Sequence, residues 1–365
     1  MTEAKLHFID FLKNIRLSKN QVQDLATGHK TLRKRLLNDE NLSKVVQTTF
    51  LQGSYRRNTA VKPKNGSRSD VDIIVVTNID HEKTTPQEAL DKFVPFLEKY
   101  YKGKYDMHSR SIGIELSYVD LDLVITTEIE NEQNLNYMKA EDRYIEARLQ
   151  KSLNIGNDSY EYSEVYNSIF VNSTDSKAKD PDPILIPDRD KNTWEKTNPL
   201  AQINWTIEKN GSCNNHYINV VKAIKWWKKQ HADPKYPKGY PLEHFVGEVC
   251  PDGINSIAHG VVEVFERIVK NHSVKPVLKD HGVPTHDVFA RITDEEYAKF
   301  YVLVEEVSRQ ARDALEETDT SQSVTKWREL FGNEFPAPST LSNEKNETFT
   351  ERKLVTQQIG NPRFG

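Results

Sequence analysis

The sequence predicts an α/β (α+β) protein in two parts: a mixed sheet preceded by a helix, then a lobe made of helices. Three observations carry this. VDIIVVT (71–77) is a near-continuous apolar run, as in a strand covered on both faces. SIGIELSYVDLDLVIT (111–126) holds one or two further strands. After about residue 200 the apolar spacing becomes helical, over 214–231, 241–250, 253–272, 293–317 and 322–331.

Taken in order, residues from about 3 to 36 read as helix in two stretches. In the first, Leu6, Phe8, Ile9, Phe11, Leu12 and Ile15 recur near helical spacing. VVQTTFLQ (45–52) is short and β-branched and reads as a strand. It runs into Gly53-Ser54, a short helical stretch YRRNTAV, and the turn-rich KPKNGSRS. A helix is expected around 86–101, between the strands. Residues 130–200, rich in Asn, Asp, Ser and Lys, read as loops and short elements. From 337 onward the chain is polar without a strong period and reads as a mobile tail. The expected division is 1–205 for the sheet lobe, 206–336 for the helical lobe and 337–365 for the tail.

Composition narrows the function classes. A net charge of −4 over 365 residues is not that of a protein coating nucleic acid non-specifically. No apolar run approaches the roughly 18 residues of a membrane span. The two cysteines, Cys213 and Cys250, lack zinc-finger spacing and fit a reducing cytoplasm. His216, His231, His244, His259, His272, His281 and His286 are scattered, so neither a histidine metal site nor a nucleophilic triad is expected. No GxxxxGK[ST] occurs, which disfavours a P-loop ATPase.

The chemistry points elsewhere. Asp70 and Asp72 open the 71–77 strand at positions i and i+2, so both side chains leave the same face. Two such carboxylates repel unless a hard divalent cation joins them, and magnesium prefers carboxylates together with substrate phosphates. A third carboxylate from a neighbouring strand would complete a two-metal site. Asp120 and Asp122 are both candidates, and their shared strand phase cannot choose between them. Gly53 lets backbone approach phosphate closely, and Ser54 adds a hydroxyl donor beside a helix N-terminus.

LQGSYRRNTAVKP, SDVDIIVV and VDLDLVITT together resemble the core of the polymerase-beta-like nucleotidyltransferase superfamily. More narrowly they resemble the bacterial cyclic GMP-AMP synthase/DncV-like nucleotidyltransferases (CD-NTases) of antiphage signalling. The resemblance spans about 45–336, weakly over 130–200. It implies a catalytic and metal-binding set of Asp70, Asp72 and Asp122, because the third aspartate of that family often precedes Leu-Val, as in Asp122-Leu123-Val124. Asp120 is the runner-up. It implies two Mg2+ ions, with Mn2+ as substitute, and nucleotide contacts from Gly53 and Ser54. In NVVKAIKWWKK, Lys222 and Lys225 share a helix face, and the resemblance makes Lys225 the main phosphate contact. In PKGYPLEHFVGEV it makes Tyr240 the residue that stacks on a base. Gly239 stands where relatives often carry serine. The 292–336 stretch resembles the terminal helix pair of the family, with Trp327 and Phe331 in the core.

The implied reaction joins ATP, with GTP or another nucleoside triphosphate as partner, into a cyclic di- or trinucleotide. It proceeds by in-line attack on an α-phosphate with release of pyrophosphate. Two rivals are a related enzyme giving a linear product or modifying another acceptor, and a non-catalytic nucleotide-binding scaffold. The terminal Gly365 suits conjugation by a ubiquitin-activating-like enzyme, a partner that some family operons encode.

Overall fold

The computed structural model describes residues 2–64, 66–153 and 181–338. Gly365 and most of the expected tail lie outside the described residues.

The first helices are α1 (Lys5–Ile15) and α2 (Lys19–Asn38). Ser18 and Gln21 cap α2 reciprocally, each side chain accepting from the other's backbone N–H. Then come β1 (Val46–Gln52), a single helical turn α3 (Gly53–Arg56) and β2 (Ser69–Thr77). The helix expected over 86–101 is two, α4 (Pro86–Asp91) and α5 (Val94–Tyr101). Pro95, in the first turn of α5, lacks the N–H that a continuous helix would need there. β3 (Tyr105–Met107), β4 (Ile112–Glu115) and β5 (Val119–Thr126) complete a five-stranded sheet of order β1-β2-β5-β4-β3. β2 and β5 are parallel; the other neighbours are antiparallel.

The stretch read as loops contains a long helix, α6 (Glu132–Leu153), followed by a hairpin of β6 (Ile184–Asp188) and β7 (Thr193–Thr197). The polar sequence of α6 hides it because part of its docking is ionic. Arg33 of α2 pairs with Asp142 and Glu146, while Asp142 Oδ1 accepts from the Leu51 N–H at 3.2 Å.

The remaining helices are α7 (Pro199–Ser212), α8 (Tyr217–Lys229), α9 (Gly239–Val249), α10 (Ile257–Asn271), α11 (Asp294–Glu316) and α12 (Thr320–Phe331). Among the described residues no helix is long and apolar enough to cross a membrane.

Strand phase divides the buried residues of the sheet. Val71, Ile73 and Val75 pack in a cluster with Leu25, Leu32 and Leu36 of α2. Ile74, Val76 and Val124 pack on the other face against Met138, Ile184, Ile186 and Leu200. Asp70, Asp72 and Asp122 continue the phase of this second face, beyond the end of its apolar cover. A third, larger core unites α8 to α12 and also takes in Phe8 and Phe11 of α1. There Phe11 meets Phe331 at 4.5 Å between ring centroids, and Phe8 meets Trp327 at 5.0 Å. Trp327 and Phe331 are fully buried, as expected.

Candidate active site

The parallel pairing of β2 with β5 puts Asp70 beside Asp120 and Asp72 beside Asp122. Four carboxylates therefore leave one face of two adjacent strands. Arg68 engages Asp120, its Nε donating to Oδ1 at 2.6 Å while Nη2 reaches Glu115 at 2.9 Å. Asp122 Oδ1 is buried with no hydrogen-bond partner, 3.6 Å from His108 Nδ1. Asp120 thus has its counter-charge, whereas Asp122 offers an unmatched acceptor of the kind a cation satisfies.

Burial, then Asp70, then Asp122 push the Asp72 carboxyl up to about 7, against the opposing pull of Arg57 and Lys225. Carboxylates crowded at this cost fit a divalent ion with oxygen ligands. Gly53 closes the other side. Its φ is +74°, and a Cβ there would lie 1.7 Å from Asp72 Oδ2. Only glycine lets the turn after β1 lie against this carboxylate.

A cleft of about 740 Å³ opens over the site. Gly53, Ser54, Asp70, Asp72, Lys225 and Tyr240 all line it. Asp122 stands next to Asp72 in the register, one strand further in. Lys222 does not line the cleft, contrary to the expectation of a shared face with Lys225. It is buried, and its Nζ donates to Asn58 Oδ1 at 2.9 Å. Three residues along a helix leave two side chains about 60° apart, enough to turn one into the core.

Sequence reasoning missed several wall residues. Arg57 lies 5.0 Å from the centroid of the Tyr240 ring and donates from Nε to Glu243 Oε1 at 2.6 Å. Thr59 Oγ1 donates to Glu243 Oε2 at 2.7 Å, and Lys225 Nζ stands 3.5 Å from the same oxygen. Burial alone would raise the Glu243 carboxyl, but Arg57, Lys225 and Thr59 hold it at about 2. Tyr240 donates to Asp280 Oδ2 at 3.1 Å. Lys229, Lys235 and Lys238 add positive charge to the wall. The Lys228 ammonium is spent on the carbonyls of His231 and Pro234, which shapes the loop carrying Lys235 and Lys238. The run Lys225, Lys228 and Lys229 was visible in the sequence, but the fold was needed to point each one.

Acidic side chains on one wall and lysines on the other suit a polyphosphate bridged by divalent metal. Comparisons with known proteins agree. A family model described as the Second Messenger Oligonucleotide or Dinucleotide Synthetase domain matches residues 1–152. The cyclic AMP-AMP-GMP synthase of Enterobacter hormaechei subsp. hoffmannii is 43% identical, covering 95% of this chain and 96% of its own. The probable cyclic AMP-AMP-GMP nucleotide synthase of Salmonella paratyphi B is 45% identical over 95% of this chain and 96% of its own. The cyclic AMP-AMP-AMP synthase of an Acinetobacter species is 31% identical over 97% and 91%. Among solved structures, Escherichia coli MS115-1 CdnC with ATP aligns with a TM-score of 0.64 at 14% identity, covering 91% of this chain and 99% of that one. That alignment shows the shared fold.

Proposed function

The chain belongs to the second messenger oligonucleotide or dinucleotide synthetase family, the bacterial cyclic GMP-AMP synthase/DncV-like nucleotidyltransferases, and we propose that its product is cyclic AMP-AMP-GMP. It is a nucleotidyltransferase that makes a cyclic oligonucleotide from nucleoside triphosphates with divalent metal. ATP and GTP are the substrates we propose, from the names of the two relatives above 40% identity. The ion we propose is Mg2+, as a pair, replaceable by Mn2+.

Asp70, Asp72 and Asp122 would hold the metal. The observation that carries this is the unmatched Asp122 Oδ1 beside Asp72 in the strand register. Bound there, the ions lend positive charge to the attacking hydroxyl and to the leaving pyrophosphate. Lys225 and Lys229 face the donor triphosphate as charge-assisted donors. Ser54 adds a hydroxyl at the Gly53 turn. Tyr240, held by Asp280 and backed by Arg57, presents its ring to a base. Lys222 acts from behind the wall by holding Asn58, two residues before Ala60 of the cleft lining.

The test is mass spectrometry of products from all four ribonucleotides with Mg2+. A phosphatase-resistant ring of two AMP and one GMP is expected. A product of three AMP would move the assignment toward the Acinetobacter relative. A product that phosphatase degrades would favour the linear-product rival.

We also propose that the enzyme works in the cytoplasm in antiphage defence and that a ubiquitin-activating-like enzyme conjugates it through Gly365. Glycine offers no side chain to hinder acyl transfer at Gly365. Unchanged conjugation after deletion of Gly365 would refute this role.

A further inference from the structure

Beside the hydroxyl of Tyr240 the cleft carries an amide with a fixed direction. Gln202, near the start of α7, lines the cleft together with Tyr240. Its Nε2 donates to Asp280 Oδ2 at 3.0 Å. That same oxygen accepts from the Tyr240 hydroxyl at 3.1 Å. The Gln202 amide therefore sits at the hydroxyl edge of the Tyr240 ring.

We propose that Gln202 Oε1 accepts a hydrogen bond from the exocyclic amino group of adenine, which makes Gln202 a specificity-determining residue for the base stacked on Tyr240. This rests on the reading of the chain as a cyclic oligonucleotide synthase with Tyr240 as its base platform.

Three observations fix the direction of the amide. An ionised carboxylate only accepts, so Gln202 turns its NH2 end to Asp280 and not its oxygen. Asp280, on the loop after α10, is buried, and its other oxygen accepts from the N–H groups of Gly282 at 2.8 Å and Val283 at 3.0 Å. The loop itself lies against the start of α7: a Cβ at Gly282 would stand 2.5 Å from Asn198 Cβ and 2.8 Å from the Asn198 carbonyl oxygen. Glycine permits that approach, and Asp280 is held at one distance from Gln202. With Nε2 turned to Asp280, Oε1 is the end left for the cleft, and no donor among the described residues reaches it. A half-buried acceptor of this kind is completed by a ligand that brings an N–H group.

Stacking on Tyr240 does not by itself choose a base, since every base has a π-face. A polar group at the edge of the base must do so. Adenine carries an amino donor on that edge. Guanine carries N–H donors on its own edge, so it stays admissible while adenine ranks first. That ranking suits a ring of two AMP and one GMP. Asp280 is the positioning residue. In Asp280→Asn, Oδ1 stays with the two backbone N–H groups, and the new NH2 group faces Gln202. The Gln202 amide then turns over and offers Nε2 to the cleft, a donor set against the amino donor of adenine.

The test is a competition in one reaction. ATP and purine riboside 5′-triphosphate, which is ATP without its amino group, are supplied at equal concentration with GTP and Mg2+. Mass spectrometry of the product reads the ratio of adenosine to purine riboside. The wild type should incorporate about three to ten times more adenosine, the effect of one neutral hydrogen bond. Gln202→Met keeps a chain of similar length without the acceptor and should bring the ratio near one. Gln202 is half-buried, so Q202M should keep the circular dichroism of the wild type. Asp280→Asn should bring the ratio below one, a reversal that loosened packing alone would not produce. Equal incorporation by the wild type, or an unchanged preference in Q202M, would overturn the role of Gln202. A wild-type ratio in Asp280→Asn would overturn the fixed direction of the amide. Absence of any product from ATP and GTP would instead refute the synthase reading, and this role with it.

Discussion

At the scale of single residues, the proposed metal site depends on how closely Gly53 approaches Asp72. Gly53→Ala puts a methyl group into the Asp72 carboxylate and forces L-residue geometry at a positive φ. A displacement of about 1 Å at reacting groups can cost about a hundredfold in rate. Initial rates of pyrophosphate release should therefore fall about a hundredfold or more in G53A, while the circular dichroism stays that of the wild type. The sequence made the Asp70/Asp72 pair legible, because strand alternation alone puts i and i+2 on one face. It could not separate Asp120 from Asp122, which share that phase. Arg68 distinguishes them, and it reaches Asp120 from 52 positions away in the chain. Arg57 and Glu243 were illegible for the same reason: their meaning is a contact between residues 186 apart.

Among the elements, α8 carries the clearest contrast. Its Lys225 faces the cleft and its Lys222 faces the core. Lys225→Ala removes a charge-assisted contact, of the kind worth about 1.5–3 kcal/mol. ATP binding by titration calorimetry should weaken about 10-fold to 100-fold. Lys222→Met should leave ATP affinity within about threefold and act on the thermal midpoint instead, since a buried amine, which burial and then Arg16 and Lys225 push well below its ordinary value, is exchanged for an apolar chain. The opposite ranking would mean that α8 is rotated relative to this account. Strands β1, β2, β4 and β5 and the helices after residue 214 were legible from β-branched and apolar patterning, whereas β3 and the β6–β7 hairpin were not. α6 was not, because part of its docking comes from carboxylates meeting Arg33, and a polar helix looks like a loop until its partner is known.

Across the whole molecule, the buried Arg57–Glu243 pair ties the turn after β1 to α9. With α3 resting on the sheet and α9 in the helical core, this pair crosses the floor of the cleft. The folded Glu243 carboxyl titrates at about 2, below its ordinary 4.5. Its contribution to stability is therefore complete above about 4.5 and is lost as pH falls toward 2. Urea unfolding followed from pH 5 to pH 2.5 should show this loss in the wild type. Glu243→Gln should be less stable by about 3–5 kcal/mol at pH 7, where Arg57 loses its partner, with a flatter acid limb. An unchanged acid limb would remove the pair as the link. At this scale the sequence suggested two lobes but gave no sign that α1 belongs to the helical core. Its apolar face was legible; the aromatic partners Trp327, Phe331 and Phe335 lie more than 300 residues away.

The account turns on which carboxylate joins Asp70 and Asp72, and one measurement addresses it directly. Cyclic product is quantified by mass spectrometry from Asp122→Asn and Asp120→Asn enzymes, each with saturating nucleotides and Mg2+. Asp122→Asn should lose at least about a thousandfold in rate, while Asp120→Asn should stay within about tenfold of wild type. An active Asp122→Asn enzyme beside an inactive Asp120→Asn one would contradict the arrangement of the metal site derived from Asp122 Oδ1 and the Arg68–Asp120 pair.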